Sequence, residues 1–329
     1  MTGDEVVIRP YEPGDERAIN AAFNEVFGAR RELDEWLWKF PWRPEGRTIM
    51  LAWRGGELLA QYAGQPVRFQ VDGVEWKALH GVDDFSTRAG RRGLARRGVY
   101  VRTAEAYFDR HLWNGPHQLI VGFPGRRHLK LGILQMGYGA VPPQEIRVLA
   151  REEGAGMGRG RRLPYRAEPA RDWEPRLDTL WERVRGDYPV ALVRDARRAL
   201  ERLAGRPRVR YHRYLLLPRF SDEPVGFVAF RTDDGICRWL DLLWDHAHPG
   251  ALELAAHLSK RLARDHGAPR EEMWLTGDPA AREILHRLGF HEEPEPSGLV
   301  FLVIPFDESF DGGRVVDRVY LTMADADLV

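Results

Sequence analysis

Cysteine is almost missing from this sequence: Cys237 stands alone among 329 residues. A single thiol excludes an intrachain disulfide and any zinc site built on cysteine pairs. Lysine is nearly as scarce, with only Lys39, Lys77, Lys130 and Lys260, so arginine carries the positive charge. Net charge is lacking too. Lys+Arg and Asp+Glu both number 49, which argues against a chain whose whole surface binds nucleic acid or anionic membrane. No apolar run reaches membrane-spanning length. The N-terminus has no signal-peptide h-region, so a cytoplasmic protein is the expectation. What remains is a soluble globular composition, 43% hydrophobic and 30% charged, on a chain long enough for two ordinary domains.

The most informative stretch runs from Phe85 to His111. An apolar strand end leads into a short loop holding Gly90, Arg91, Arg92, Gly93, Arg96 and Arg97. Leu94, Gly98, Val101, Ala104 and Phe108 then recur at helical spacing. A strand, a Gly/Arg loop and a helix N-terminus together suit an anion. The first-turn N–H groups are free, the helix dipole is positive there, and glycine lets the backbone approach closely. Arginine adds charge-assisted bonds. The loop is neither GxxxxGK[ST] nor GxGxxG, and many such turns carry glycine and arginine without a ligand.

Around this stretch the pattern gives a strand at Val6–Arg9, a helix entered through Asp15 as N-cap, and a second helix at Glu32–Phe40. Strands follow at Thr48–Trp53 and Leu58–Val71, then a hairpin at Asp72-Gly73 and a strand to Phe85. After the central loop and helix come a strand at Leu119–Phe123, a helix at Arg126–Gln135 closing on Gly137-Tyr138, and a last strand at Glu145–Ala150.

The segment Gly90-x-x-Gly93-x-Ala95 resembles the [Q/R]-x-x-G-x-[G/A] pyrophosphate loop of the GNAT superfamily of N-acetyltransferases, with Gly90 in place of the first Gln or Arg. The element order, the opening IRPYEPGDERAI and the Met-Gly137-Tyr138 turn are similar to that family as well. The resemblance covers about residues 5 to 150. It implies that Phe85, Ser86, Arg88, Gly90, Arg91, Arg92, Gly93, Leu94 and Ala95 hold the pyrophosphate of acetyl-CoA.

Residues 151–169 read as a linker rich in Gly, Arg and Pro. Its arginines suggest RNA binding only weakly, because no aromatics interleave with them. The second half repeats the plan of the first, with helices at Leu177–Val184 and Val193–Leu203, a strand at Arg210–Leu217, and a hairpin of Val225–Arg231 with Ile236–Trp244. A helix at Ala251–His266, a strand at Met273–Leu275, a helix closing on Gly289-Phe290, and strands at Leu299–Ile304 and Val319–Thr322 complete it. Residues 170–329 therefore resemble a second GNAT-type domain, as in tandem bacterial acetyltransferases. Its counterpart of the phosphate loop, Asp245-His-Ala-His-Pro-Gly250, has no arginine and carries a carboxylate of the wrong sign. His246 and His248 read as a surface pair rather than a metal site. The expected fold is thus α/β (α+β), two tandem domains at 1–150 and 170–329, each a mixed, mostly antiparallel sheet flanked by helices.

The resemblance implies acetyl transfer to a primary amine of a small-molecule or peptide acceptor. A non-catalytic acyl-CoA-binding or scaffold protein on the same fold is the alternative. An alkylamine with a pKa of about 10 must lose a proton before it attacks. Family members often take that proton with a carboxylate on the fourth or fifth strand, and here Asp83 and Asp84 lie just before the loop on opposite faces. Asp84 is the candidate base, with Asp83 and His80 as rivals. The family's usual acid, a tyrosine in the helix after the fifth strand, falls here on Ile133, and on Leu285 in the second half. His128 is the candidate acid in its place, and Tyr138 sits at a position that usually packs in the core. Trp36, Trp38 and Trp42 line an acceptor pocket or pack as core. Oligomeric state is left open by the sequence.

Overall fold

The computed structural model describes residues 5–44, 46–91, 97–154 and 164–327. Its strands and helices, in chain order, are β1 (Val7–Pro10), α1 (Glu16–Phe27), α2 (Leu33–Lys39), β2 (Ile49–Arg54), β3 (Glu57–Val71), β4 (Val74–Gly81), β5 (Phe85–Ser86), α3 (Val99–Phe108), β6 (Leu119–Gly122) and α4 (Arg126–Gln135). Next come β7 (Gln144–Glu145), β8 (Arg147–Glu152), β9 (Tyr165–Pro169), α5 (Arg176–Val184), β10 (Val190–Leu192), α6 (Ala196–Leu203), β11 (His212–Pro218), β12 (Gly226–Asp233) and β13 (Ile236–Trp244). The chain ends with α7 (Pro249–Asp265), β14 (Arg270–Trp274), α8 (Pro279–Arg287), β15 (His291–Pro294), β16 (Val300–Pro305) and β17 (Val319–Tyr320). Among the described residues no helix is long and apolar enough to cross a membrane.

The chain forms two compact units. The first holds Met1–Arg68, Trp76–Pro143 and Phe301–Gly313; the second holds Phe69–Glu75, Gln144–Val300 and Arg314–Val329. The sheet of the first unit runs β1-β2-β3-β4-β6-β16, with β5 laid on β3. The register pairs antiparallel at β1–β2, β2–β3 and β6–β16, and parallel at β4–β6. Period-2 alternation sorts its side chains onto two faces. Ile49, Leu51, Ala63 and Val82 pack with Ile19, Trp36 and Phe40 of the α1–α2 side. Met50, Tyr62, Leu79 and Ile120 pack with Val101, Ala104, Tyr107 and Phe108 of α3, and with Met136 and Tyr138 beyond α4.

The sheet of the second unit runs β15-β8-β14-β13-β12-β11-β9. Its one registered parallel pair is β13–β14, and α7 buries Ala251, Leu252, Ala255, Ala256 and Leu258. Both sheets are mixed, mostly antiparallel and flanked by helices, as expected.

Several expectations need correction. The strand at Glu145–Ala150 was expected to close the first half, but β8 lies in the second unit's sheet, between β14 and β15. The strand that completes the first unit's sheet is β16, with Leu302–Pro305 opposite Leu119–Gly122. A short strand buried on both faces carries no mark of the edge it will join. Tyr165–Pro169, expected within a linker, is a strand paired with β11, while residues 155–163 lie outside the described residues. The helix expected from Val193 begins at Ala196, capped by Asp195, and Val190–Leu192 is instead a strand. Asp15 does not cap α1 with its side chain. Its carboxylate accepts from Arg9 at 2.7 and 2.9 Å and from the Glu12 amide at 2.8 Å. The hairpin at Asp72-Gly73 is present, with φ of 48° and 83°, the left-handed pair that a two-residue turn requires.

Candidate active site

The strand expected to run unbroken to Phe85 breaks instead, and the break shapes the site. β4 and β6 pair in parallel from Ala78–His80 to Leu119–Val121. Both then reach a glycine, Gly81 and Gly122; a Cβ at Gly81 would meet the Asp84 carboxylate at 3.6 Å, and one at Gly122 would stand 3.8 Å from the Gly81 carbonyl. Past Gly81 the chain leaves β6. Asp83 takes φ of 55°, costly for a residue with a Cβ. The turn is held by the Gln61 side-chain amide donating to the Asp83 carbonyl at 2.9 Å. Phe85–Ser86 then pairs with β3. On the other strand, Pro124 has no N–H with which to extend the ladder. The registered pairing of β4 with β6 therefore ends at His80 and Val121.

The bend sends the two neighbouring carboxylates to opposite faces. Asp83 is buried on the α1–α2 side and ion-paired with both Arg31 and Lys39. Both of its carboxylate oxygens are thus engaged by cations. Asp84 points to the α3–α4 side, where it accepts from the Ala63 amide at 2.8 Å. His80, the other rival, is 1% exposed with its ring edge-on to Phe123 at 5.8 Å.

The face that Asp84 shares is lined by tyrosines. The Tyr62 and Tyr138 hydroxyls are 2.7 Å apart. His128 Nε2 lies 3.3 Å from the Tyr138 hydroxyl and 3.2 Å from that of Tyr100. The His128 ring stacks on Tyr138 with 24° between planes. Burial, and after it the Asp84 carboxylate, raises the hydroxyls of Tyr100, Tyr107 and Tyr138 above their ordinary value. Burial raises Tyr62 as well, with Tyr138 and then Asp84 adding to it. Burial alone pushes His128 down to about 4, so its imidazole is neutral near pH 7.

Two glycines make room for this cluster. A Cβ on Gly132 of α4 would overlap the Tyr138 ring, and one on Gly64 would collide with the Tyr107 hydroxyl. Sequence reasoning named Asp84, His128 and Tyr138 but missed Tyr62 and Tyr100. For Tyr62 the available signal was a tyrosine placed mid-strand beside Gln61 in the mostly apolar run LLAQYAG. Ile133, in place of the family's tyrosine, is 49% exposed. Trp36 is core against Tyr11 and Phe40, whereas Trp42 is 75% exposed.

The loop after β5 is folded back on β3. Thr87 donates its amide to the Leu59 carbonyl at 2.9 Å and accepts at its hydroxyl from the Gly90 amide at 3.2 Å. Gly90 is buried so close to Leu59 that a Cβ would strike the Leu59 carbonyl, so packing alone requires glycine there. The Phe85 side chain lies in the α1–α2 core, and Ser86 is half-buried. Arg88 and Arg91 are exposed, and Arg91 Nε donates to the Ser86 carbonyl at 3.0 Å. Arg92, Gly93, Leu94 and Ala95 lie outside the described residues. Helix α3 opens at Gly98, which has no side chain with which to cap its first turn.

At the corresponding place in the second unit, Asp245 pairs with Arg183 at 3.4 Å. Tyr165 covers the start of α7, where its ring fills the place of a Cβ on Gly250, and its hydroxyl meets His248 Nδ1 at 3.1 Å. Among the described residues no cluster of three or more His, Cys, Asp or Glu side chains is arranged to hold a metal.

No protein-family model matches the sequence, and no curated protein matches it. Solved structures do match in fold. A conserved protein of unknown function from Enterococcus faecalis, described as a probable N-acyltransferase, superposes with a TM-score of 0.69 at 9% identity, over 92% of this chain and 73% of that one. A GCN5-related N-acetyltransferase from Anabaena variabilis gives 0.69 at 11% identity, over the same shares. Saccharomyces cerevisiae N-myristoyltransferase, solved with myristoyl-CoA and inhibitors, gives 0.60 at 11% identity over 92% and 80%. With these likenesses across nine-tenths of its length, the protein shares the fold of these solved acyltransferase structures, a GCN5-related N-acetyltransferase among them.

Proposed function

We propose that the protein is an acyl-CoA-dependent N-acyltransferase, and that its first unit moves an acetyl group from acetyl-CoA to a primary amine of a small-molecule or peptide acceptor. The observation that carries this reading is the cluster of Asp84, Tyr62, Tyr100, Tyr138 and His128 on one face of the sheet, just past the last registered pair of β4 and β6. Arg88, Arg91 and the uncapped start of α3 suit the pyrophosphate. Arg92, Gly93, Leu94 and Ala95, outside the described residues, belong to the same loop in this reading.

Asp84 takes the proton from the ammonium, directly or through a water, so that the free amine attacks the thioester carbonyl. A backbone N–H donor beside the thioester stabilises the oxyanion. The leaving thiolate takes a proton from a tyrosine hydroxyl, which regains one from the attacking nitrogen as that nitrogen becomes the amide. His128, neutral with its pKa near 4, does not serve as an imidazolium acid. It orients the Tyr100 and Tyr138 hydroxyls. The second unit plays a structural or acceptor-shaping part in this reading: the Asp245 carboxylate, paired with Arg183, has the wrong sign for a pyrophosphate, and Tyr165 packs against Gly250 at the start of α7.

Calorimetric titration of acetyl-CoA into wild type and Gly93→Asp tests the first step. Binding to wild type that the variant abolishes supports the phosphate loop. Failure of wild type to bind removes the acyltransferase reading.

A further inference from the structure

His246 lies in the second unit, between β13 and α7, and takes no part in the proposed chemistry. Each of its ring nitrogens faces a carboxylate. Nε2 lies 3.4 Å from Asp278 Oδ2, and Nδ1 lies 4.0 Å from Asp187 Oδ2. The ring packs on Trp244 at 4.5 Å and on Tyr188 at 5.4 Å. At these separations the contacts are charge pairs rather than hydrogen bonds, Nε2 being buried without a hydrogen-bond partner. Only the imidazolium is attracted to both carboxylates; the neutral ring carries no charge for either.

Asp278 is firmly placed. It is 1% exposed, accepts from Trp244 Nε1 at 2.9 Å, and caps α8 through the Ala281 amide at 2.9 Å. Asp187 ends the short turn after α5, with its side chain 40% exposed. The other charged neighbours are Asp245, on the same loop, and Arg183 of α5, which Asp245 engages. Tyr188 is neutral, its hydroxyl raised by burial.

We infer that His246 is a pH-dependent clamp: as imidazolium it ties the turn at Asp187 and the head of α8 to the Asp245–His248 loop, and as imidazole it releases the Asp187 side. Burial alone would push its pKa down, but Asp278 first, then Asp187 and Asp245, outweigh burial and raise it. The sign follows from that direction. A group whose folded pKa stands above its unfolded value contributes stability that is complete below about 6.5 and is lost as pH rises through the folded pKa. The clamp therefore holds in mild acid and opens toward alkaline pH.

The test is an NMR titration of the His246 Cε1 proton in the full chain, assigned by its loss in His246→Gln and repeated in Asp187→Asn. Asp187 is exposed enough for that variant to keep the fold. Wild-type His246 is expected to titrate above 6.5, and Asp187→Asn to lower it by about half a unit or more. The Ala247 amide, which donates to Asp245 at 2.9 Å, should exchange faster above that pKa once the intrinsic base-catalysed rate is removed. A wild-type value at or below 6.5, or one indifferent to Asp187→Asn, overturns the clamp.

Discussion

The hydroxyls of Tyr62 and Tyr138, 76 residues apart in sequence, meet at 2.7 Å in the core of the first unit. Each is the other's partner in a place with little water, so removing one leaves the other under-satisfied. Tyr138→Phe should cost about 1–3 kcal/mol of stability. The double variant Tyr62→Phe/Tyr138→Phe should cost less than the two single changes summed. Urea unfolding of the four proteins checks this; strict additivity would mean the hydroxyls do not interact.

Asp83 and Asp84 are neighbours with opposite work. Asp83→Asn leaves Arg31 and Lys39 without their shared carboxylate, and breaking a buried pair costs about 3–5 kcal/mol. Asp84→Asn keeps an oxygen for the Ala63 amide and should shift stability by no more than about 1 kcal/mol. Its loss should appear in turnover, by about 10²-fold or more. Denaturation and rate measured side by side separate the two roles. Equal destabilisation by both changes would contradict the assignment.

His128 ties stability to pH. Its folded pKa of about 4 lies below the ordinary value, so the unfolded chain binds the proton more tightly. The contribution is complete above about 6.5 and is lost as pH falls toward 4, and it amounts to roughly 3 kcal/mol. His128→Gln should flatten the acid limb of a stability–pH curve between those values. An unchanged limb would show that the ring is not buried neutral.

Gly132→Ala should destabilise. In an exposed helix this change gains about 1 kcal/mol. Here the new methyl falls on the Tyr138 ring and would drive the hydroxyl away from Tyr62. Thermal unfolding decides the sign, and a more stable variant would refute the packing.

The sequence carried much of the fold and part of the site. Strong alternation and turn residues, as at Asp72-Gly73 and Asp234-Gly235, located the strands and hairpins. Periodic apolar faces such as Leu177, Leu180, Trp181 and Val184 located helices. Strand partnership was not legible, because Val148–Ala150 and Leu302–Ile304 bury both faces and fit either sheet. The opposite facing of Asp83 and Asp84 followed from alternation, but the left-handed turn at Asp83 did not. An aspartate there is held by Gln61, 22 residues away. Tyr62 and Tyr100 escaped notice because a buried hydroxyl looks like any core aromatic until its partner is known.

The exchange of strands has a direct consequence. A fragment of residues 1–150 lacks β16, which covers the inner edge of β6, and an exposed apolar edge of that kind invites aggregation. It should not unfold cooperatively, whereas the full chain should. A soluble fragment with a sharp transition would contradict the observed pairing.

Acyl transfer itself is tested most directly by the release of CoA thiol from acetyl-CoA across a panel of primary amines. Wild type should release thiol only when an accepted amine is present, and Asp84→Asn should bind acetyl-CoA with unchanged affinity yet release it at least about 10²-fold more slowly. Tight acetyl-CoA binding with no amine-dependent release from any acceptor would contradict the account and leave a GNAT fold that binds without transferring.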